Sequence, residues 1–195
     1  FKRYEPGYVH MDIKYLPQMA DETRRRYLFV AIDRATRWVY VAINHDKTAA
    51  SARSFLQALH TACPVHIVKL LTDNGKECTD RLVASRERQP SGHHEFDRLC
   101  QELGIEHRLT KPRTPHTNGM VERFNGRIAQ VLATRRYRSA DDLGTTLLRY
   151  AWLYHHHLPQ KALGHRCSME AMKQWYTDKP DLFTKQPRNL PGPDM

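Results

Sequence analysis

No apolar run in this 195-residue chain approaches the roughly 18–20 residues of a membrane-spanning helix, so no membrane partner is expected. Cysteine is scarce and scattered: Cys63, Cys78, Cys100 and Cys167 form no C-x-x-C pair, and the chain is too large and too cysteine-poor for a disulfide scaffold. They read as reduced thiols of a cytosolic protein. Twelve histidines are present, but no Cys/His spacing supports a zinc site. There is no internal repeat. The first residues, Phe1-Lys2-Arg3-Tyr4-Glu5, lack an initiator Met and the apolar stretch of a signal peptide, and further domains are expected upstream.

What is present is ordinary globular material, 40% hydrophobic and 27% charged, with one bias. Lys and Arg total 31 against 21 acids, a net charge of +10. Neutralising phosphates releases counterions, so such an excess favours a polyanionic partner, nucleic acid first among them.

Along the chain, Tyr8–Leu16, Tyr27–Ile32 and Trp38–Ile43 read as strands, the last two joined by the polar turn 33–37 as a hairpin. Thr48–Ala62 has helical spacing of Phe55, Leu56 and Leu59 and stops before Pro64. His66–Thr72 reads as a buried strand ended by Asp73-Asn74-Gly75, a strong turn signal. Thr79–Gly92 reads as a polar surface insertion, Glu95–Leu103 as a helix and Ile105–Leu109 as a short strand. After the Pro-containing loop Thr110–Asn118, a helix is expected over Met120–Arg136. A second is capped by Ser139, with Leu143, Leu147, Leu148, Ala151 and Leu153 as apolar positions, and a short one, Met169–Tyr176, is capped by Ser168. The proline-rich segment 177–195 reads as a loose tail. This order predicts an α/β fold: a mixed sheet flanked by helices, antiparallel at first and then parallel through crossovers.

Three acids occupy positions where phosphoryl-transfer chemistry would want them. Two divalent ions about 3.5–4 Å apart can activate the attacking oxygen and stabilise the leaving one, and they need roughly three carboxylates on rigid elements. Asp12 lies mid-strand, where acids are disfavoured, either on a solvent face or in a functional role. Asp73 ends a buried strand, where ligands gather in open α/β sheets but where turn aspartates also sit. Glu122 lies one turn into a helix, a position equally natural for a helix-dipole partner. Asp33, Glu77 and Asp80 compete, and Asp33 reads better as the hairpin turn residue.

The surrounding words are more specific. Thr72-Asp73-Asn74-Gly75, Leu103-Gly104-Ile105-Glu106-His107 and Pro115-His116-Thr117-Asn118-Gly119-Met120-Val121-Glu122-Arg123 resemble the retroviral-integrase-like DDE transposases of bacterial insertion sequences. So do Val9-His10-Met11-Asp12, Tyr154–Gly164 and Ser168-Met169-Glu170-Ala171, and the resemblance spans residues 8–175 or so. It implies a ribonuclease H-like fold with a five-stranded sheet, within a catalytic core over residues 1–176. It also implies two Mg²⁺ (or Mn²⁺) ions held by Asp12, Asp73 and Glu122, and DNA cleavage followed by strand transfer. Transposon-end and target DNA, a homo-oligomer and a bacterial, nucleoid-associated cytoplasmic location are its implied surroundings. His116 stands where the family usually has Gln, and His155–His157 replace a more usual Tyr-Asn.

Lys111, Arg113 and Arg123 are candidate phosphate contacts, with His116 and Asn118 also expected at the DNA. Asn118 and Gly119 can cap the helix bearing Glu122. Arg135-Arg136-Tyr137-Arg138 is a second basic patch, open between phosphate binding and plain solvation. Consecutive histidines on a helix diverge, so His155–His157 read as structural, and Trp152 and Trp175 as core. No helix-turn-helix or zinc module is legible, so an N-terminal DNA-binding domain is expected to precede this core. Two other readings are a nuclease that only hydrolyses and a non-catalytic DNA-binding module.

Overall fold

The computed structural model describes residues 4–81, 91–110, 119–134 and 136–189. Five strands form one sheet: β1 (Tyr8–Tyr15), β2 (Tyr27–Asp33), β3 (Val39–Asn44), β4 (Lys69–Thr72) and β5 (Glu106–Leu109), in the order β3-β2-β1-β4-β5. The first three pair antiparallel; β4 joins β1, and β5 joins β4, in parallel. The helices are α1 (Ala49–Ala62), α2 (Glu95–Glu102), α3 (Gly119–Ala133), α4 (Ala140–His156) and α5 (Ser168–Asp178). The expected mixed sheet between helices is therefore the observed one.

The strand period of two places the site. Side chains alternate across a sheet, and β2 shows both destinations. Phe29 and Ala31 enter a core with Phe55, Leu56 and Leu59 of α1 and Phe96 and Leu99 of α2. Leu28, Val30 and Ile32 enter a second core with Val121, Phe124 and Ile128 of α3 and Leu143 and Leu147 of α4. On β1, Val9 and Met11 belong to the first core. Parity therefore turns Asp12 to the α3 face.

Local chemistry sets the helix ends. Thr48 accepts a hydrogen bond from the Ser51 amide at 3.2 Å and starts α1; Ser139 does the same for α4 through the Asp142 amide at 3.1 Å. Gly7, at φ 103°, passes so close to the chain that a Cβ there would lie 2.4 Å from the His66 carbonyl oxygen. Its own carbonyl accepts from the amides of Val68 and Lys69, which delays β4 to Lys69, three residues after the expected start.

Other expectations are corrected. The cap of α5 is Cys167 rather than Ser168, because the Glu170 carboxylate reaches back to the Cys167 amide at 2.7 Å. The segment from Thr177 is no loose tail within the described residues. α5 runs to Asp178, Phe183 is buried and bridges to Val65, and the Thr184 amide bonds to the Pro64 carbonyl at 2.9 Å. Apolar burial of Phe183 outweighs the proline content around it. Leu148 and Leu153 are exposed, since the apolar stripe of α4 follows Leu143, Leu147, Ala151 and Tyr154. Trp152 and Trp175 are only half-buried. Of the expected insertion, Thr79 is fully buried, and 82–90 lie outside the described residues.

Candidate active site

Asp12, Asp73 and Glu122 come from three separate elements and converge. Asp12 is half-buried on β1; Asp73 follows β4 directly and is exposed; Glu122 is exposed in the first turn of α3. Burial raises the Asp12 carboxyl above its usual range, and the charges of Asp73 and Glu122 raise it further. A hydrogen bond at Ile13 and one from Asn125 oppose this. Asp73 and Glu122 thus oppose the charge of Asp12, and none of the three is paired with Lys or Arg among the described residues. Among the described residues, no three His, Cys, Asp or Glu side chains are close enough together to hold a metal ion, these three included. The Asp73 Oδ1 atom turns back to accept from the Gly75 amide at 3.0 Å.

Carboxylate oxygens, partly open to solvent, suit a hard divalent ion such as Mg²⁺, which keeps several of its own waters. The donor set fits.

Asn125 was not among the expected site residues. Its Nδ2 donates to Asp12 Oδ2 at 2.6 Å and fixes that carboxylate from the next turn after Glu122. The signal was available: Glu122 and Asn125 are three residues apart, one helical turn, so both face the same way. Gly75 turns the chain without a left-handed backbone; a Cβ there would meet the buried Glu77 carboxylate at 2.5 Å. Asn74 instead ties the turn to β5, donating to the Thr110 carbonyl at 3.2 Å.

Of the expected DNA contacts, only Arg123 is described; it is exposed, and its Nε bonds to the Gly119 carbonyl at 2.9 Å. Lys111, Arg113, His116 and Asn118 lie outside the described residues, as does Arg135, while Gly119, expected with Asn118 to cap α3, is its first residue. Arg136 and Arg138 are exposed. The triple histidine is structural at its first member: buried His155 accepts from the Val39 amide at 3.1 Å and stacks on Trp38. All four cysteines are free and buried.

Comparison with known proteins adds to this geometry. Residues 3–115 match the model of the integrase core domain, and 103–167 match a second integrase core domain model. A retrovirus-related Pol polyprotein from transposon TNT 1-94 of Nicotiana tabacum is 31% identical over 107 residues, 54% of this chain and 7% of that protein. A putative integrase, ORF3, of Spiroplasma virus SpV1-C74 is 24% identical over 165 residues, 82% of this chain and 45% of that protein. The chain thus spans less than half the length of either relative. Among solved structures, the catalytic core domain of BIV integrase aligns with a TM-score of 0.59 at 19% identity, covering 88% of this chain and 97% of that one. The HTLV-2 integrase catalytic core domain, in complex with magnesium, aligns with a TM-score of 0.58 at 19% identity, covering 85% and 96%. At such identities these two establish the fold, which is ribonuclease H-like.

Proposed function

Because this chain belongs to the integrase core domain family, we propose that it is a DDE-type polynucleotidyl transferase that cuts DNA and joins the freed 3′-hydroxyl to a target strand. The observation that carries this reading is the convergence of Asp12, Asp73 and Glu122 as carboxylates without a cationic partner among the described residues. Two Mg²⁺ or Mn²⁺ ions held by these acids would activate the attacking oxygen and neutralise the leaving one. Asn125 holds Asp12 in a single orientation, so that carboxylate needs little reorganisation. Arg123, with Lys111 and Arg113 before it in the chain, supplies positive charge for the DNA backbone. Transposon-end and target DNA are the proposed substrates. A homo-oligomer is the proposed assembly, since two ends must be joined together; the HTLV-2 core is described in a trimeric form.

A strand-transfer assay with labelled DNA ends and millimolar Mg²⁺ or Mn²⁺ tests the reading. Joined products are expected from the wild type and none from Asp73→Asn, whose melting temperature stays at the wild-type value or above. Cutting without joining would assign a hydrolytic nuclease, and binding without cutting a non-catalytic module. Joining by Asp73→Asn would sink the assignment of the acids.

A further inference from the structure

A second polar cluster lies behind the sheet, on the face opposite Asp12. Thr72, the last residue of β4 and the neighbour of Asp73, shares the parity of Leu70, which packs with α2. Its hydroxyl lies 2.8 Å from His107 Nε2 on β5 and 2.9 Å from the Asp73 carbonyl oxygen. His107 Nδ1 lies 2.5 Å from Asp97 Oδ1 on α2. Asp97 in turn accepts from Thr79 Oγ1 at 3.1 Å and from Arg81 Nη2 at 2.8 Å. The Phe96 ring meets the imidazole edge-on, with centroids 5.2 Å apart.

The imidazole is held at both nitrogens. Nδ1 faces Asp97 Oδ1 and, at 2.8 Å, Arg81 Nη2, while Nε2 faces the Thr72 hydroxyl, whose own hydrogen goes to the Asp73 carbonyl oxygen. Thr72 itself is 1% exposed and the His107 side chain 4%, so water cannot readily replace either partner.

Strand pairing does not require this chain. Thr72 already pairs with Leu109, and the Thr110 amide donates to the Thr72 carbonyl at 2.9 Å. What the polar chain adds is direction at the last residue of β4, where the backbone passes to Asp73. We propose that Asp97, His107 and Thr72 form a positioning chain that orients the end of β4, and with it the Asp73 carboxylate, for divalent cations. The proposal rests on the metal-dependent function above. Thr72 reaches Asp73 only at its backbone carbonyl, and Asp97 and His107 bond to none of the three acids, so the role of this chain is to position rather than to react.

The test is Mn²⁺ binding to the 195-residue chain by calorimetry, alongside the Mn²⁺ dependence of strand cleavage. Thr72→Val removes the hydroxyl at nearly constant shape and should raise the half-saturating Mn²⁺ concentration about tenfold. The cleavage rate at saturating Mn²⁺ should stay within about twofold of wild type, a split that a general loss of folding does not produce. Thr72→Ser should restore wild-type affinity. Should Thr72→Val fail to fold, Asp97→Asn, nearer the surface, should shift the affinity in the same direction. Wild-type affinity in the folded variants, or a lowered melting temperature with unchanged affinity, would make the chain purely structural and overturn the proposal. A wild type that binds no Mn²⁺ would remove the proposed function as well.

Discussion

Asp33 and Asp12 sit on adjacent strands, and burial is the largest influence on both carboxyls, raising each above its usual range. Their surroundings differ in sign. Asp33 is 1% exposed and fully satisfied: Oδ1 accepts from the Gly7 amide at 2.8 Å, and Oδ2 from the Thr36 amide at 2.8 Å, the Thr36 hydroxyl at 2.7 Å and the Ala35 amide at 3.1 Å. Every one of those bonds favours the ionised form. Asp12 has the Asn125 amide on one oxygen and two other acids close enough to oppose its charge. Burial alone therefore does not mark a functional acid. An acid surrounded by donors holds a turn together, whereas one surrounded by like charge is a candidate for function.

The comparison breaks most visibly at Asp33. Asp33→Ala leaves the Gly7 and Thr36 donors buried without an acceptor and should cost about 3–4 kcal/mol of stability in urea denaturation. A near-normal midpoint would erase the distinction between the two aspartates.

His155 extends it to a buried base. Burial lowers its pKa to about 4, with His156 adding to the effect. The unfolded chain then takes up a proton at about pH 6.5 that the folded chain refuses until about pH 4, so stability falls as pH drops through that window. The loss should be about 2–3 kcal/mol, and His155→Gln should flatten it in denaturation curves at pH 7, 5.5 and 4.5. A parallel slope in wild type and variant would show that His155 does not titrate differently on folding.

Replacing Asp12 should change stability in the opposite direction to replacing Asp33, because Asp12 holds no set of buried donors. Its raised pKa means that the folded state holds its proton more tightly, so ionisation costs stability as pH rises from 3.8 through the raised value. At neutral pH without metal, Asp12→Asn should stabilise the chain by about 1 kcal/mol while abolishing strand transfer. Mn²⁺ at ten times its Kd should stabilise the wild type by about 1.4 kcal/mol and the variant hardly at all. An unchanged wild-type melting temperature at millimolar Mn²⁺ would count against an assembled site.

Much of this was legible beforehand. The five strands, the antiparallel start and parallel finish of the sheet, and the elements carrying the three acids all followed from periodicity and from the words around Asp73 and Glu122. The misses share a cause. Asn125 reaches Asp12 across 113 residues. The packing of Phe183 against Val65 hid beneath a proline-rich composition. Local pattern says which face a side chain takes, not which distant partner waits there.

The sequence by itself determined the elements and the parity that puts Asp12 on the opposite face of β1 from Met11, because side-chain alternation is a property of the strand alone. It also determined the roles open to the three acids, through residue type and position. Only the tertiary structure decided that Asp33 is a satisfied hub and Asp12 a repelled one. Asp33 was legible as a turn residue, with Thr36 a local donor, but the distant partners were not: the Gly7 amide, 26 residues away, in one case, and Asp73 and Glu122 in the other.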